Sequence, residues 1–459
     1  MQMQVRRLQL KNFRGISDLT LEFDAPEPTV FVGVNGVGKS SILDCLAIML
    51  SWLIARIQFD PRDNWIPDIQ IQKDGKFSYE GRLLSKKDIK LNSEDAQSEI
   101  NILLNSSRNL TWDLSENRDL KSRTFQFGKP SIITYDWRGS KLDSEATDEQ
   151  KQFESVTDEI RQKLKGNPEV CIPLAVYYPV DRSVQDVNLK MPDNYKFQQV
   201  DAYENALDGV KINFTSFFKW FRALEDLEGE ERRDNPNYED KRLAAVRKSI
   251  YSVLGDDFQD LRVRRKSLEM TVKKRGEELI INQLSDGEKS LLAMTGDLAR
   301  RLALANPSLE DPLQGSAVVI IDEIEQHLHP AWQRQIIPVL TKTFPNCQFI
   351  ITTHSPQVLS QIKPDNIYIL KKIEDNIVAQ RPESSFGRDS NRILEDLMEV
   401  PERPQEIKQR LLELFRLIDQ GNLESARELR QEIAKEIGED EPELVKARVS
   451  IRRREILQK

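Results

Sequence analysis

Residues 33 to 40 read Gly-Val-Asn-Gly-Val-Gly-Lys-Ser and satisfy G-x-x-x-x-G-K-[ST], the pattern of a phosphate-cradling loop. Gly33, Gly36 and Gly38, with Asn35 and Val37 between them, let backbone N–H groups turn inward around phosphate oxygens. Lys39 is then placed for the β- and γ-phosphates, Ser40 for Mg²⁺, and Ser41 opens a helix whose positive end faces the anion. Two further clusters could complete a phosphoryl transfer. The apolar run Ala317-Val318-Val319-Ile320-Ile321 ends in Asp322, suited to hold Mg²⁺ or its water, and Glu323, suited to orient or deprotonate an attacking water. A second run, Cys347 to Thr353, delivers His354, which would reach the γ-phosphate as a sensor. Each cluster has a plainer reading: a glycine turn, a buried strand meeting solvent at an acidic turn, a structural histidine. It is their occurrence together that favours chemistry.

These residues need particular elements behind them. Thr29-Val30-Phe31-Val32 reads as a buried strand leading into the loop, and Ser41 to Leu50 has the apolar spacing of a helix leading out. The runs before Asp322 and His354 are apolar throughout, as expected of parallel strands buried on both faces, whose carboxyl ends bind ligands. One helix and a return strand fit between them. The hexapeptide Leu284-Ser285-Asp286-Gly287-Glu288-Lys289 precedes a helical pattern from Ser290 to Leu302. By itself it reads equally well as a helix cap with acidic residues in the first turn. All three histidines, His327, His329 and His354, fall in one stretch. A zinc site is nonetheless disfavoured, because His327 and His329 sit two apart just before Pro330 and no cysteine pair joins them.

The rest of the chain supplies context. Residues 61 to 200 are polar and turn-rich, with strands expected near 79 to 84, 98 to 104, 122 to 127 and Ile172 to Tyr178, and a helix near 147 to 165. Residues 203 to 254 read as helical, and the cluster Phe214, Phe217, Phe218, Trp220 and Phe221 is most simply core, with base stacking as the sharper alternative. Leu261 to Ser267 and Leu268 to Lys274 alternate like a hairpin carrying Arg262, Arg264, Arg265 and Lys266, then Lys273, Lys274 and Arg275. That face could contact DNA phosphates, or be a solvated face that blunts an edge strand. After Leu370 come a loop and charged helices over 404 to 420, 423 to 437 and 443 to 457. A net charge of −8 does not by itself point to nucleic acid. Three scattered cysteines imply no disulfide framework and a reducing compartment. No apolar run reads as approaching the roughly 18 residues a membrane helix needs, and Met1 leads into an alternating strand without a long apolar core. A cytoplasmic protein with no membrane partner is expected.

In this order the four motifs, with the opening Leu8-Gln9-Leu10-Lys11-Asn12-Phe13-Arg14-Gly15-Ile16, resemble the ATP-binding-cassette heads of the RecF, SMC and OLD class of ATPases. The resemblance covers roughly residues 1 to 60 and 260 to 370. It implies an α/β P-loop NTPase fold with an ABC-type head, a mixed central sheet with flanking helices, and ATP with Mg²⁺ as its ligands. It implies that Ser285 and Gly287 of one subunit contact the γ-phosphate held by Lys39 of another, and that Arg14 approaches the nucleotide from the first strand. Gln185 is a candidate for the interlobe-loop glutamine by position only. The expected organisation is an N-terminal lobe (1–60), a strand and helix insertion (61–200), a helical insertion (201–260), a C-terminal lobe (261–370) and a helical region (371–459) for partner binding or oligomerisation. Long heptad arms, a C-x-x-C hook and a strand-borne acidic nuclease cluster are all missing from the pattern. The run from Tyr177 to Arg182, the Phe-Phe-Lys-Trp-Phe helix, Asp322 to Pro330 and Phe386 to Asn391 before a helical tail are similar to the PtuA ATPases of Septu antiphage systems, also found with some retrons. That similarity implies an ATPase subunit whose oligomer regulates a separate HNH nuclease resembling PtuB, with DNA or retron nucleic acid as a further partner. The other reading is a RecF-like repair ATPase that clamps DNA across its dimer.

Overall fold

A computed structural model describes residues 1–23, 27–59, 81–118, 123–126, 132–135, 141–142, 148–167, 169–182, 197–209, 212 and 214–457. Its strands are β1 (Met3–Phe13), β2 (Ile16–Glu22), β3 (Thr29–Val32), β4 (Asp95–Leu104), β5 (Arg108–Asn117), β6 (Arg123–Gln126), β7 (Ile132–Tyr135), β8 (Lys141–Leu142), β9 (Leu174–Tyr178), β10 (Phe258–Arg264), β11 (Glu269–Lys274), β12 (Glu277–Ile280), β13 (Ala317–Ile321), β14 (Cys347–Thr352), β15 (Ile367–Ile373) and β16 (Asn376–Gln380). Its helices are α1 (Lys39–Gln58), α2 (Asp148–Gly166), α3 (Phe214–Asp234), α4 (Lys241–Leu254), α5 (Asp286–Ala305), α6 (Pro330–Thr343), α7 (Pro356–Leu359), α8 (Ser390–Asp396), α9 (Gln405–Asp419), α10 (Leu423–Ile437) and α11 (Pro442–Leu457).

The pattern of burial divides the strands into two kinds. β3, β9, β13 and β14 are buried at every residue. They lie in a sheet ordered β16-β15-β3-β14-β13-β9, parallel except for the antiparallel edge strand β16. β1 and β4 instead alternate between buried and partly exposed residues, within an antiparallel sheet ordered β2-β1-β4-β5-β6-β7-β8. The alternation of β1 breaks between Val5 and Leu8, where its register with β4 shifts between Val5 and Arg7. This bulge keeps Met3, Val5, Leu8 and Leu10 all buried. There Gln348 of β14 accepts from the Val5 N–H at 2.7 Å and donates to the Val5 carbonyl at 2.9 Å, tying the two sheets together.

Between the sheets lies α1, which packs on β4 as well as β9, β13 and β14 and receives the Trp112 indole N–H on the Met49 carbonyl. Contrary to the expectation from apolar runs, α1 is by length and composition apolar enough to cross a membrane, but 78% of its apolar window is buried inside the protein. It is the core helix of this unit. The central α3 aromatics are core as well: Phe217, Phe218, Trp220 and Phe221 are each at most 1% exposed, and Phe217 and Phe221 rings lie 5.8 Å apart.

The chain forms two compact units, Met1–Arg388 and Asp389–Lys459. The first continues well past Leu370, because β15 and β16 complete the parallel sheet and Asn376 takes the Ser17 N–H beside β2. No strand forms over residues 81–84, and the start of that expected strand lies outside the described residues, as do the rest of 61–80 and Gln185. The second unit is built from α9, α10 and α11 around Leu411, Leu414, Ile418, Ile433, Leu444 and Ile451. Its charges pair locally, as in Arg410–Glu436 at 2.6 Å and Arg454–Asp419 at 2.9 Å.

Candidate nucleotide site

The carboxyl ends of β3, β14, β13 and β9 lie side by side, so the loops that leave them converge. From β3 the chain enters the glycine loop, whose three expected glycines turn out to be needed for different reasons. Gly38 caps α1 in the left-handed region (φ +104°), and a side chain there would press on Ile377 of β16, so both conformation and space call for glycine. A Cβ on Gly33 would lie 2.6 Å from the Leu370 carbonyl of β15. Gly36 has open space around its α-carbon, and there the left-handed backbone alone (φ +79°) favours glycine. Gly36 and Asn35 are exposed at the tip of the loop, Val37 is buried beneath it, and Ser40 is exposed at the start of α1. The buried Lys39 ammonium curls back to the carbonyls of Gly33 (2.9 Å) and Val34 (3.1 Å). Burial holds its pKa below the usual lysine value, opposed by the nearby charges of Glu323, Asp322 and Glu325. The loop lysine and the acidic strand end therefore share one electrostatic neighbourhood.

At the end of β13 the buried Asp322 accepts from the Thr352 hydroxyl of β14, and its N–H bonds the Tyr178 carbonyl at 2.9 Å. Glu323 follows in the left-handed region (φ +46°), its N–H on the Thr352 hydroxyl at 2.7 Å. His354 comes from the end of β14, and its Nε2 lies 4.0 Å from a Glu323 carboxylate oxygen. The expected trio of carboxylate, carboxylate and imidazole is thus brought together. His329 instead serves the fold, since its Nδ1 accepts from Ala331 N–H and caps α6, with Pro330 in the first turn. His327 is exposed on the loop between them.

Two residues here escaped the sequence reading. Arg182, just beyond β9, is only 4% exposed and donates to the carbonyls of Asp322 and Glu323, the latter at 2.7 Å. Burial brings its pKa down to about 10, opposed by Glu325, Asp322 and Glu323, so it stays charged near neutrality. Glu325 accepts the Thr353 hydroxyl at 2.7 Å and the His354 N–H. The Tyr177-to-Arg182 run held the only signal for Arg182, and the Asp322-to-Pro330 run the only one for Glu325.

Arg14, just beyond β1, lies beside the loop helix. Its guanidinium is engaged by Asp44, one turn beyond Ser40 on α1, and by Asp88 at 2.8 Å, so it reaches the loop helix through Asp44. Burial lowers its pKa, but Asp44 and Asp88 outweigh burial and raise it overall. Arg82 takes the other oxygen of Asp44. Tyr177, whose hydroxyl pKa burial raises with help from Asp322 and Asp44, lies between this cluster and the acidic strand end.

The hexapeptide forms the start of α5, with Ser285 and Asp286 exposed and Leu284, Gly287 and Glu288 buried. Ser285 caps the helix through Glu288 N–H, Glu288 returns a bond to Ser285 N–H at 3.0 Å, and Lys274 holds Glu288 at 2.6 Å. Gly287 is buried against the His327 carbonyl, where a Cβ would overlap the backbone. The cap reading therefore describes how the turn is held, while Ser285 and Asp286 stay exposed. In the basic hairpin Arg262 pairs with Asp260 (3.2 Å), Arg264 with Glu278, Arg265 with Asp226 (2.9 Å), Lys273 with Asp260 (3.0 Å) and Arg275 with Asp257 (2.8 Å). Of the four expected DNA contacts, Lys266 alone has no ion pair among the described residues. These pairs balance most of the positive charge of the hairpin.

Over residues 29–360 the sequence matches the family described as "AAA domain, putative AbiEii toxin, Type IV TA system". The chain belongs to this AAA-domain family. It is 30% identical to the Retron Ec83 probable ATPase of Escherichia coli, over 99% of this chain and 87% of that protein. It is 29% identical to the Retron Vc95 probable ATPase of Vibrio cholerae serotype O1 biovar El Tor, over 90% and 82%. A shorter segment, 21% of this chain and 13% of the relative, is 34% identical to the Septu protein PtuA of Bacillus mycoides (strain KBAB4). The crystal structure of the SmcHead bound to the C-winged helix domain of ScpA superposes with a TM-score of 0.42 at 16% identity, over 82% of this chain and 97% of that one. The AAA-domain family makes this chain a P-loop ATPase, with ATP as the implied nucleotide.

Proposed function

We propose that this AAA-domain protein binds and hydrolyses ATP with Mg²⁺ at the ends of β3, β13 and β14, and that the nucleotide sets an assembly that controls a separate nuclease in an antiphage defence complex. The observation that carries the reading is the shared neighbourhood of Lys39, Asp322, Glu323 and His354. In this site the N–H groups of the glycine loop and Lys39 hold the phosphates, and Ser40 and Asp322 hold the metal, which supplies charge neutralisation when bound. Glu323 orients and deprotonates water, and His354 faces the γ-phosphate beside it. Ser285 and Gly287 of a second copy close the site: an exposed helix N-terminus suits an anion presented by a partner. The likeness to retron ATPases over most of both chains supports the defence context, and the nuclease partner of the HNH type is what the resemblance to Septu PtuA implies, with Asp389–Lys459 as the unit to hold it or a further copy. In the DNA-clamp reading, Arg262, Arg264 and Arg265 would have to exchange their carboxylate partners for phosphates.

The test is Glu323→Gln, which keeps Lys39 and Asp322 but removes the base. Single-turnover hydrolysis of labelled ATP should slow about 10²- to 10⁴-fold while ATP affinity holds and ATP-dependent pairing lengthens in lifetime. Hydrolysis at the wild-type rate would remove Glu323 from the chemistry.

A further inference from the structure

We infer that Glu325 is a positioning residue for His354, an inference that rests on the ATPase site proposed above. Both oxygens of its carboxylate are committed to the turn that carries the histidine: one accepts the His354 backbone N–H, the other the Thr353 hydroxyl at 2.7 Å. The same turn is drawn tight by Ser355, whose N–H bonds the Thr353 hydroxyl at 3.0 Å and whose own hydroxyl meets Gln333 of α6 at 2.7 Å. Behind it, Thr353 N–H is still on the ladder to Phe31 of β3 at 3.1 Å. His354 is therefore the first residue free of the sheet, and the Glu325 carboxylate fixes where its side chain departs.

What the imidazole is aimed at gives this anchoring a purpose. His354 Nε2 is buried without a hydrogen-bond partner among the described residues, 4.0 Å from the Glu323 carboxylate. Glu323 and Glu325 flank Ile324, which is 2% exposed and whose N–H bonds the Thr352 carbonyl at 3.2 Å. With Ile324 pinned in the core, one carboxylate faces the reacting position and the other grips the histidine turn. The charge of Glu325 also acts on Lys39 and on Arg182, so the anchor lies within the site's own field.

Two measurements test this. In the ligand-free full chain with ring-labelled histidine, only three imidazole signals exist, and His354→Ala identifies one of them. Glu325→Ala should broaden or split that signal and leave those of His327 and His329 in place. Groups that orient the ligands of a metal change affinity or activity by about 10- to 100-fold, and with the same range for an imidazole oriented by its turn, single-turnover hydrolysis in Glu325→Ala should fall by that factor with KM within twofold. Glu325→Gln, which keeps one accepting oxygen, should recover part of the loss and serves if the alanine variant does not fold. The double variant Glu325→Ala/His354→Ala should be no slower than His354→Ala, as for residues acting through one another. A double variant slower by the full product, or an unaltered His354 signal in Glu325→Ala, overturns the inference. Wild-type turnover in His354→Ala would instead overturn the role of His354 in hydrolysis, and the labelled-histidine spectra would still decide whether Glu325 orders the ring.

Discussion

Two parts of the nucleotide chemistry are held in opposite ways. Asp322, Glu323 and His354 are fixed from distant parts of the chain: Arg182 spans 140 residues to the Asp322 carbonyl, Thr352 and Glu325 cross between β14 and the loop after β13, and almost every anchor is buried. Ser285 and Asp286 are fixed by neighbours: a capping box with the buried Glu288, which a lysine from the adjoining hairpin holds in turn, and Lys289 on Asp286, while Ser285 and Asp286 themselves stay exposed. The long-range part is over-determined and needs no partner to take its shape. The local part is rigid in itself but turned to solvent, which is the arrangement of a surface that completes another copy's site.

Ser285→Arg attacks the outward part alone and should have the largest effect on assembly. It puts a bulky cation where a helix N-terminus is already positive, and removes a cap worth about 1 kcal/mol. ATP binding should persist, since Lys39 and its loop are untouched, while the ATP-dependent rise in mass by light scattering is abolished. Normal pairing in this variant would mean that the α5 end is not a contact, and the contrast between the two parts would collapse.

Gly287 is where the two parts touch, and a smaller effect is expected there. An added methyl meets the His327 carbonyl, which is backbone and cannot swing aside as a side chain could. Gly287→Ala should cost about 1–3 kcal/mol, read as a lower denaturant midpoint, and weaken pairing without abolishing it because the loop after Asp322 must shift. An unchanged midpoint would show that α5 is not seated on that loop.

The same contrast explains what could be read in the sequence. Local signals were visible: the glycine loop, the runs ending at Asp322 and His354, the cap at Ser285 and the three tail helices all announce themselves within a dozen residues. β16 was not, because Asn376–Gln380 is a short edge strand with one buried residue, although it belongs to the first compact unit. Arg182, Glu325 and Thr352 were hidden for a different reason. Their meaning lies in which distant carbonyl or hydroxyl each one meets, and that is decided by the strand order β14-β13-β9, which no spacing rule reveals. The ion partners of Arg14 were hidden for the same reason, since Asp44 and Asp88 come from other elements.

The basic hairpin gives the smallest predicted effect and the sharpest check on local pairing. Arg264 shares Glu278 with Arg262 and with the Thr271 hydroxyl, and the pair is exposed. Surface pairs of this kind are screened by solvent and add little to stability, so Arg264→Ala should barely move the thermal midpoint. Because the cation is already matched by a carboxylate on its own sheet, its removal should also change duplex DNA affinity by less than about twofold near physiological salt. A tenfold loss with the salt-dependence slope reduced by about one would mean that the pair opens onto a phosphate. In that case the hairpin, and not the end of α5, would be the surface this protein turns outward, and the DNA-clamp reading would gain support.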